Sequence, residues 1–134
     1  MSYIQHKSEE SVEDYLETIL ILKSRLPQVR SIDIANEMHF SKPSVSVAMK
    51  NLRNRDYITV TEEGFIRLTE QGLSIAKTVY ERHSLLSNWL MELGVDSVTA
   101  VADACKMEHD ISAESFDALK KHILLHFPAC KAEV

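Results

Sequence analysis

Cys105, Glu108 and His109 fall inside the stretch DACKMEHDI, residues 103–111. Positions i, i+3 and i+4 share one face of a helix. A thiol, a carboxylate and an imidazole would therefore point the same way within one turn. His83 stands in a second apolar stripe, within YERHSLL. Asp14 and Glu17 repeat the i, i+3 spacing near the start of SVEDYLETILILKSR. These six side chains, drawn from three helical segments, could converge on one ion. A mixture of carboxylate, imidazole and thiolate suits Mn²⁺, Fe²⁺, Co²⁺, Ni²⁺ or Zn²⁺ better than Mg²⁺ or Ca²⁺. A plainer reading stands beside this one. His83 would be a hydrogen-bonded core histidine, Asp14 would close a capping box with Ser11, and Glu13, Asp14 and Glu17 would form a solvated acidic face. Glu108 resists that reading, because a carboxylate at the end of an apolar stripe wants a partner or a metal.

A second constellation is built for a different partner. FSKPSVSVAMKNLRNR, residues 40–55, begins with Ser41 as an N-cap and Pro43 in the first turn. Phe40 and Val45 take the two places of a hydrophobic staple. Val45, Met49 and Leu52 form a buried stripe. The outward positions are then Lys42, Ser44, Ser46, Val47, Lys50, Asn51 and Asn54. Lys42, Lys50, Arg53 and Arg55 are four positive charges with no acid among them. Such a face suits DNA phosphates and base edges, with Ser41, Lys42, Pro43 and Ser44 at the helix start nearest the bases. Val47 is apolar on a face that should be wet. A contact with a thymine methyl accounts for it, and so does partial cover by a neighbouring element.

The elements that must position these groups can be read in order. A helix over 11–25 is capped by Ser11, and a short helix over 31–38 by Ser31. Only HF separates Met38 from Ser41, which forces a sharp crossing into the next helix. YITV and FIRL, joined by TEEG, form a hairpin. Thr69 caps a helix over about 70–93 with the stripe Ala76, Val79, Tyr80, His83, Leu86 and Leu90. Ser97 caps the next, with the stripe Val98, Val101, Ala102, Cys105, Glu108 and His109. Ser112 opens the last, with Phe116, Leu119 and Ile123 inward. This order predicts a mainly α protein: an N-terminal winged helix-turn-helix with a small β-hairpin wing, residues 1–72, and a helical domain, residues 73–134.

Composition narrows the function classes. The chain has 134 residues, 45% of them hydrophobic, which is enough for one small core or two. Its net charge is −5, and neither half is basic: residues 1–70 carry 9 basic and 11 acidic side chains, residues 71–134 carry 6 and 9. Only the local charge of residues 42–55 favours nucleic acid over that global balance. The absence of a long apolar run and of a signal-like N-terminus predicts a cytoplasmic protein with no membrane partner. Two cysteines make no disulfide framework. The apolar surplus of LLSNWLMELGVDSVTAVA, residues 85–102, predicts a homodimer.

The combination of VEDYLETI, DIANEMHFSKPSVS, LTEQG, YERHSLL and ACKMEH resembles the diphtheria toxin repressor and manganese transport regulator family. The resemblance runs from about residue 11 to 126. It implies a winged helix, a helical dimerization domain, and metal-activated repression of metal-uptake genes. It also implies ligand roles position by position. Asp14 and Glu17 match manganese-type members. His83, Glu108 and His109 match both types. Cys105 matches the iron type, so the chain is a hybrid and Mn or Fe is the expected metal. Ser87 and Val101 occupy places where the iron type carries ligands of an ancillary site. Two other functions fit parts of the pattern: a winged-helix regulator of an organic ligand, and a metal-dependent hydrolase. The hydrolase lacks an evident base or glycine-rich substrate loop, so the chain is read as no enzyme.

Overall fold

The computed structural model describes the backbone of residues 3–130 and the side chains of residues 11–130. The described elements are α1 (Tyr3–Arg25), α2 (Ser31–Met38), α3 (Lys42–Asn54), β1 (Ile58–Val60), β2 (Ile66–Leu68), α4 (Glu70–Glu92), α5 (Ser97–Asp110) and α6 (Ala113–His126), followed by a 3₁₀ turn over Pro128–Cys130. The mainly helical architecture with one hairpin is the one the sequence predicts. The chain divides into two compact units, residues 1–77 and 78–134. No described helix is long and apolar enough to cross a membrane.

The first unit is built around Leu16, Ile19 and Leu22 of α1, Ile34 of α2, Val45, Met49 and Leu52 of α3, and Ile58 and Ile66 of the hairpin. Each fully buried Leu, Ile or Val contributes about 1.5–3 kcal/mol of burial free energy. The α2-to-α3 turn is closed by His39 in the left-handed region, φ 58. The Phe40 N–H donates to the Ala35 carbonyl at 3.1 Å. The hairpin is antiparallel and pairs Ile58 with Leu68, Thr59 with Arg67 and Val60 with Ile66. The Ile66 N–H also donates to the Val29 carbonyl at 2.7 Å, tying the hairpin to the loop before α2. Gly72 is fixed by packing: a Cβ there would lie 2.0 Å from the Tyr57 carbonyl oxygen. That close approach seats the start of α4 on the base of the wing.

The second unit packs Leu85 and Leu86 of α4, Ala104 of α5, Phe116 and Ile123 of α6, and Cys130. The Arg82 guanidinium lies 5.0 Å from the centre of the Phe116 ring, and Lys120 of α6 is ion-paired with Glu81 of α4.

Three caps differ from expectation. Helix α1 begins at Tyr3, so Ser11 lies inside it and caps nothing. Ser31 is the first residue of α2; Arg30 precedes it in extended conformation, and its N–H donates to the Asp33 carboxylate at 2.9 Å. The cap of α5 is Asp96, whose Oδ2 accepts from the Val98 and Thr99 N–H groups at 3.1 and 3.4 Å. Aspartate and serine both cap well, so adjacent candidates in DS leave the choice to the turn geometry after Gly94, φ 95. The α5 stripe shifts with it. Val98, Val101 and Ala102 face outward, while Ala100, Ala104 and Glu108 are buried.

Candidate functional site

On α5 the polar end of the helix is turned inward. Glu108 is 3% exposed, and its Oε1 lies 3.1 Å from His109 Nε2, both side chains almost fully buried. Two donors bound cis to one ion at 2.0–2.2 Å stand roughly 3 Å apart, so this separation suits a shared cation. Cys105, half-buried with a free thiol, lies one turn earlier on the same helix. His83 of α4 reaches α5 through Nε2, 3.2 Å from the Val101 carbonyl oxygen. If Nε2 carries the proton, it donates to that carbonyl and Nδ1 keeps the lone pair a metal needs. The Val101 backbone is thus part of the site's support, although its side chain is exposed. No sequence signal marks that carbonyl.

On α1, Glu17 is buried at 8% exposure and Asp14 is half-buried. Because Ser11 is interior to α1, Asp14 is not the partner of a capping serine. The Asp14 carbonyl accepts from the Thr18 hydroxyl at 2.8 Å, leaving its side chain outside that interaction. A buried glutamate one turn from a half-buried aspartate does not fit a fully solvated acidic face.

The α3 residues expected to meet DNA are Ser41, Lys42, Pro43, Ser44, Ser46, Val47, Lys50 and Asn51, and every one is exposed. Val45, Met49 and Leu52 are buried as the stripe predicts. Ser41 caps the helix: its Oγ accepts from the Ser44 N–H at 3.3 Å. The Phe40 ring, 48% exposed, meets Tyr15 edge-on with centres 6.0 Å apart, so it ties α3 to α1. Val47 is 66% exposed, so the described residues leave most of it uncovered. Two shallow grooves of about 280 and 240 Å³ flank α3. Ser31 and Ser46 line both; Lys50 and Arg53 line the first and Lys42 the second. Ser31 and Arg53 therefore lie beside the residues expected to meet DNA. The sequence showed Arg53 only as a charge, and Ser31 only as a cap. Arg55 is turned toward the hairpin, its guanidinium 5.1 Å from the Tyr57 ring centre.

The wing is chemically different from α3. Glu62 and Glu63 sit at its turn and Arg67 faces outward on β2. Glu63's own backbone N–H and the Thr61 hydroxyl hold its carboxyl below the usual carboxylate range.

Residues 8–66 match the model of the iron dependent repressor N-terminal DNA binding domain, and residues 69–131 that of the iron dependent repressor metal binding and dimerisation domain. The chain belongs to the iron-dependent repressor family. Members of this family are transcriptional regulators, and the two matched segments carry the exposed α3 face and the buried α5 cluster respectively. An uncharacterized HTH-type transcriptional regulator of Methanocaldococcus jannaschii is 34% identical over 113 residues, 83% of this chain and 90% of its own length. Transcriptional regulator MntR of Salmonella typhimurium is 34% identical over 109 residues, 81% of this chain and 69% of its own. Among solved structures, that of the manganese regulator SloR superposes with a TM-score of 0.75 at 29% identity, over 84% of this chain. This chain spans about half of that structure, 53%.

Proposed function

We propose that the protein is a metal-activated transcriptional repressor that binds operator DNA as a homodimer and controls metal-uptake genes, with Mn²⁺ or Fe²⁺ as the effector. One observation carries this reading. A chain of the iron-dependent repressor family holds a carboxylate and an imidazole 3.1 Å apart in its interior, while its α3 face is exposed and basic. His83, Cys105, Glu108 and His109 supply ligands from the helical unit, and Asp14 and Glu17 supply the carboxylates of α1. A bound divalent ion offsets the negative charge of these carboxylates and fixes the side chains that share it. Glu108 and His109 hold their positions through burial, and His83 is oriented by the Val101 carbonyl. On α3, Lys42, Lys50 and Arg53 meet phosphate, while Ser44, Ser46, Val47 and Asn51 read base edges. The dimer is supported by the exposed apolar side chains of the helical unit, Met91, Leu93, Val98 and Val101. A coupling of about 1–3 kcal/mol between metal and DNA would change DNA affinity roughly 5–150-fold.

The test is DNA binding measured across Mn²⁺, Fe²⁺, Co²⁺ and Zn²⁺, each with and without chelator. A metal-dependent gain in operator affinity, reversed by chelator, is the expected result. Equal affinity in chelator overturns the reading and returns the organic-ligand regulator. Hydrolase activity with Mn²⁺ would overturn it in favour of the enzyme.

A further inference from the structure

His122 and His126 stand one turn apart on α6, and the repressor reading makes no use of them. Both are exposed. Their ring centres lie 4.5 Å apart with the planes inclined at 54°. That spacing can be compared with what a shared ion requires. Imidazole nitrogen binds at about 2.0–2.1 Å, so a ring centre lies roughly 3.2 Å from the ion; two rings on one ion, at roughly 90–110°, have centres about 4.5–5.2 Å apart. The observed separation is at the near end of that range. His126 lies in the last turn of α6, where the helix dipole and the open carbonyls favour a cation. Lys120, which shares α6, is neutralised by Glu81.

We propose that His122 and His126 form a second metal site, a surface chelate of two imidazoles that takes Zn²⁺, Ni²⁺ or Co²⁺ and discriminates against Mn²⁺. The discrimination follows from the donors. Neutral nitrogen ligands follow the Irving–Williams order, in which Mn²⁺ is lowest, and this pair has no carboxylate to favour a harder ion. Two protein ligands leave the remaining positions to water. The site would therefore respond to late transition metals without passing through Glu108 and His109.

The experiment titrates the full chain, free of DNA, with Zn²⁺ and follows imidazole nitrogens by ¹H–¹⁵N NMR, with bound ions counted by equilibrium dialysis. The parent is compared with Glu108→Ala, His122→Gln and His126→Gln. The expected result is a joint, saturating shift of the His122 and His126 nitrogens in the parent, preserved in Glu108→Ala. Each glutamine variant should bind one Zn²⁺ fewer per chain and leave its remaining imidazole unshifted. Mn²⁺ should give no paramagnetic broadening centred on the pair. Independent shifts of the two rings, or glutamine variants that bind as many ions as the parent, overturn the proposal. Because both side chains are exposed, the variants should fold, and unchanged circular dichroism checks this. Failure of metal-dependent DNA binding is read separately, in Glu108→Ala.

Discussion

The outward face of α3 and the outward face of the second unit are both exposed, yet their chemistry is opposite. On α3 the exposed side chains are small, polar or basic, and Val47 is the apolar exception. In the second unit Met91, Leu93, Val98 and Val101 are all at least 38% exposed. Phosphate rewards fixed positive charge and displaced counterions. An apolar patch gains only by meeting another apolar surface. In a chain of net charge −5, α3 carries Lys42, Lys50 and Arg53 and no acid, a local balance that suits DNA, while the exposed apolar side chains of the second unit suit the proposed dimer. The wing follows neither pattern, since Glu62 and Glu63 put acid at its tip.

The apolar face of the second unit is the more sensitive of the two. Val98→Asp combined with Val101→Asp should raise the dimer dissociation constant more than a hundredfold, since burying like charges across an interface costs several kcal/mol. Sedimentation of the variant as a monomer at micromolar concentration is the expected outcome; an unchanged dimer would place the interface elsewhere. Gly72→Ala should destabilise the first unit by about 3 kcal/mol, because the new methyl meets a backbone carbonyl that cannot yield. Gly94→Ala meets open space but keeps φ 95, so thermal melts should show a smaller loss of about 1–2 kcal/mol. Glu108→Ala or His109→Ala should retain the fold and lose the metal-dependent gain in DNA affinity, about 1–3 kcal/mol. A variant that still responds to metal like the parent would remove this cluster from the sensor. On α3, Lys50→Ala should weaken binding to all sequences and reduce the salt slope by about 1. Val47→Ala should leave the slope alone and shift sequence preference by about 1 kcal/mol at a single base pair. The smallest effect concerns Cys130. Burial, aided by the negative charge of Glu92, pushes its thiol above the ordinary value, and a thiol so placed exposes little thiolate. Native protein at pH 8 should therefore alkylate slowly at Cys130, and denaturation should release it.

Cys105 marks where sulfur chemistry can sharpen the comparison between metals. It is half-buried with a free thiol. A thiolate ligand to Co²⁺ gives an intense near-ultraviolet charge-transfer band that Cys105→Ser would abolish. If that band is absent, the side chain packs and only its backbone carbonyl is available. Cys105→Glu should favour Mn²⁺ over Fe²⁺, Co²⁺ and Zn²⁺, because a hard ion gains least from sulfur.

The sequence by itself determined the elements whose signals are local. The Ser41 cap, the stripe Val45, Met49 and Leu52, the hairpin turn ending at Gly64 and the Thr69 cap all depend on neighbours within a few residues, and all appear where the spacing puts them. The shared face of Cys105, Glu108 and His109 follows from helical period alone. Tertiary structure decided the rest. Helix α5 carries apolar residues on more than one face, so periodicity could not say which face the core would take; Ala104 packs with Leu85 and Leu86 of α4 and Phe116 and Ile123 of α6, Ala100 is buried too, and Val98 and Val101 stay outside. The Val101 carbonyl that lies 3.2 Å from His83 Nε2 is a backbone atom, invisible to residue type. Gly72 reads as an ordinary helix residue until the Tyr57 carbonyl is placed against it. The physical reason is common to all three: local hydrogen bonds and period act within one segment, whereas the choice among equally apolar faces is made only by what another segment brings to them.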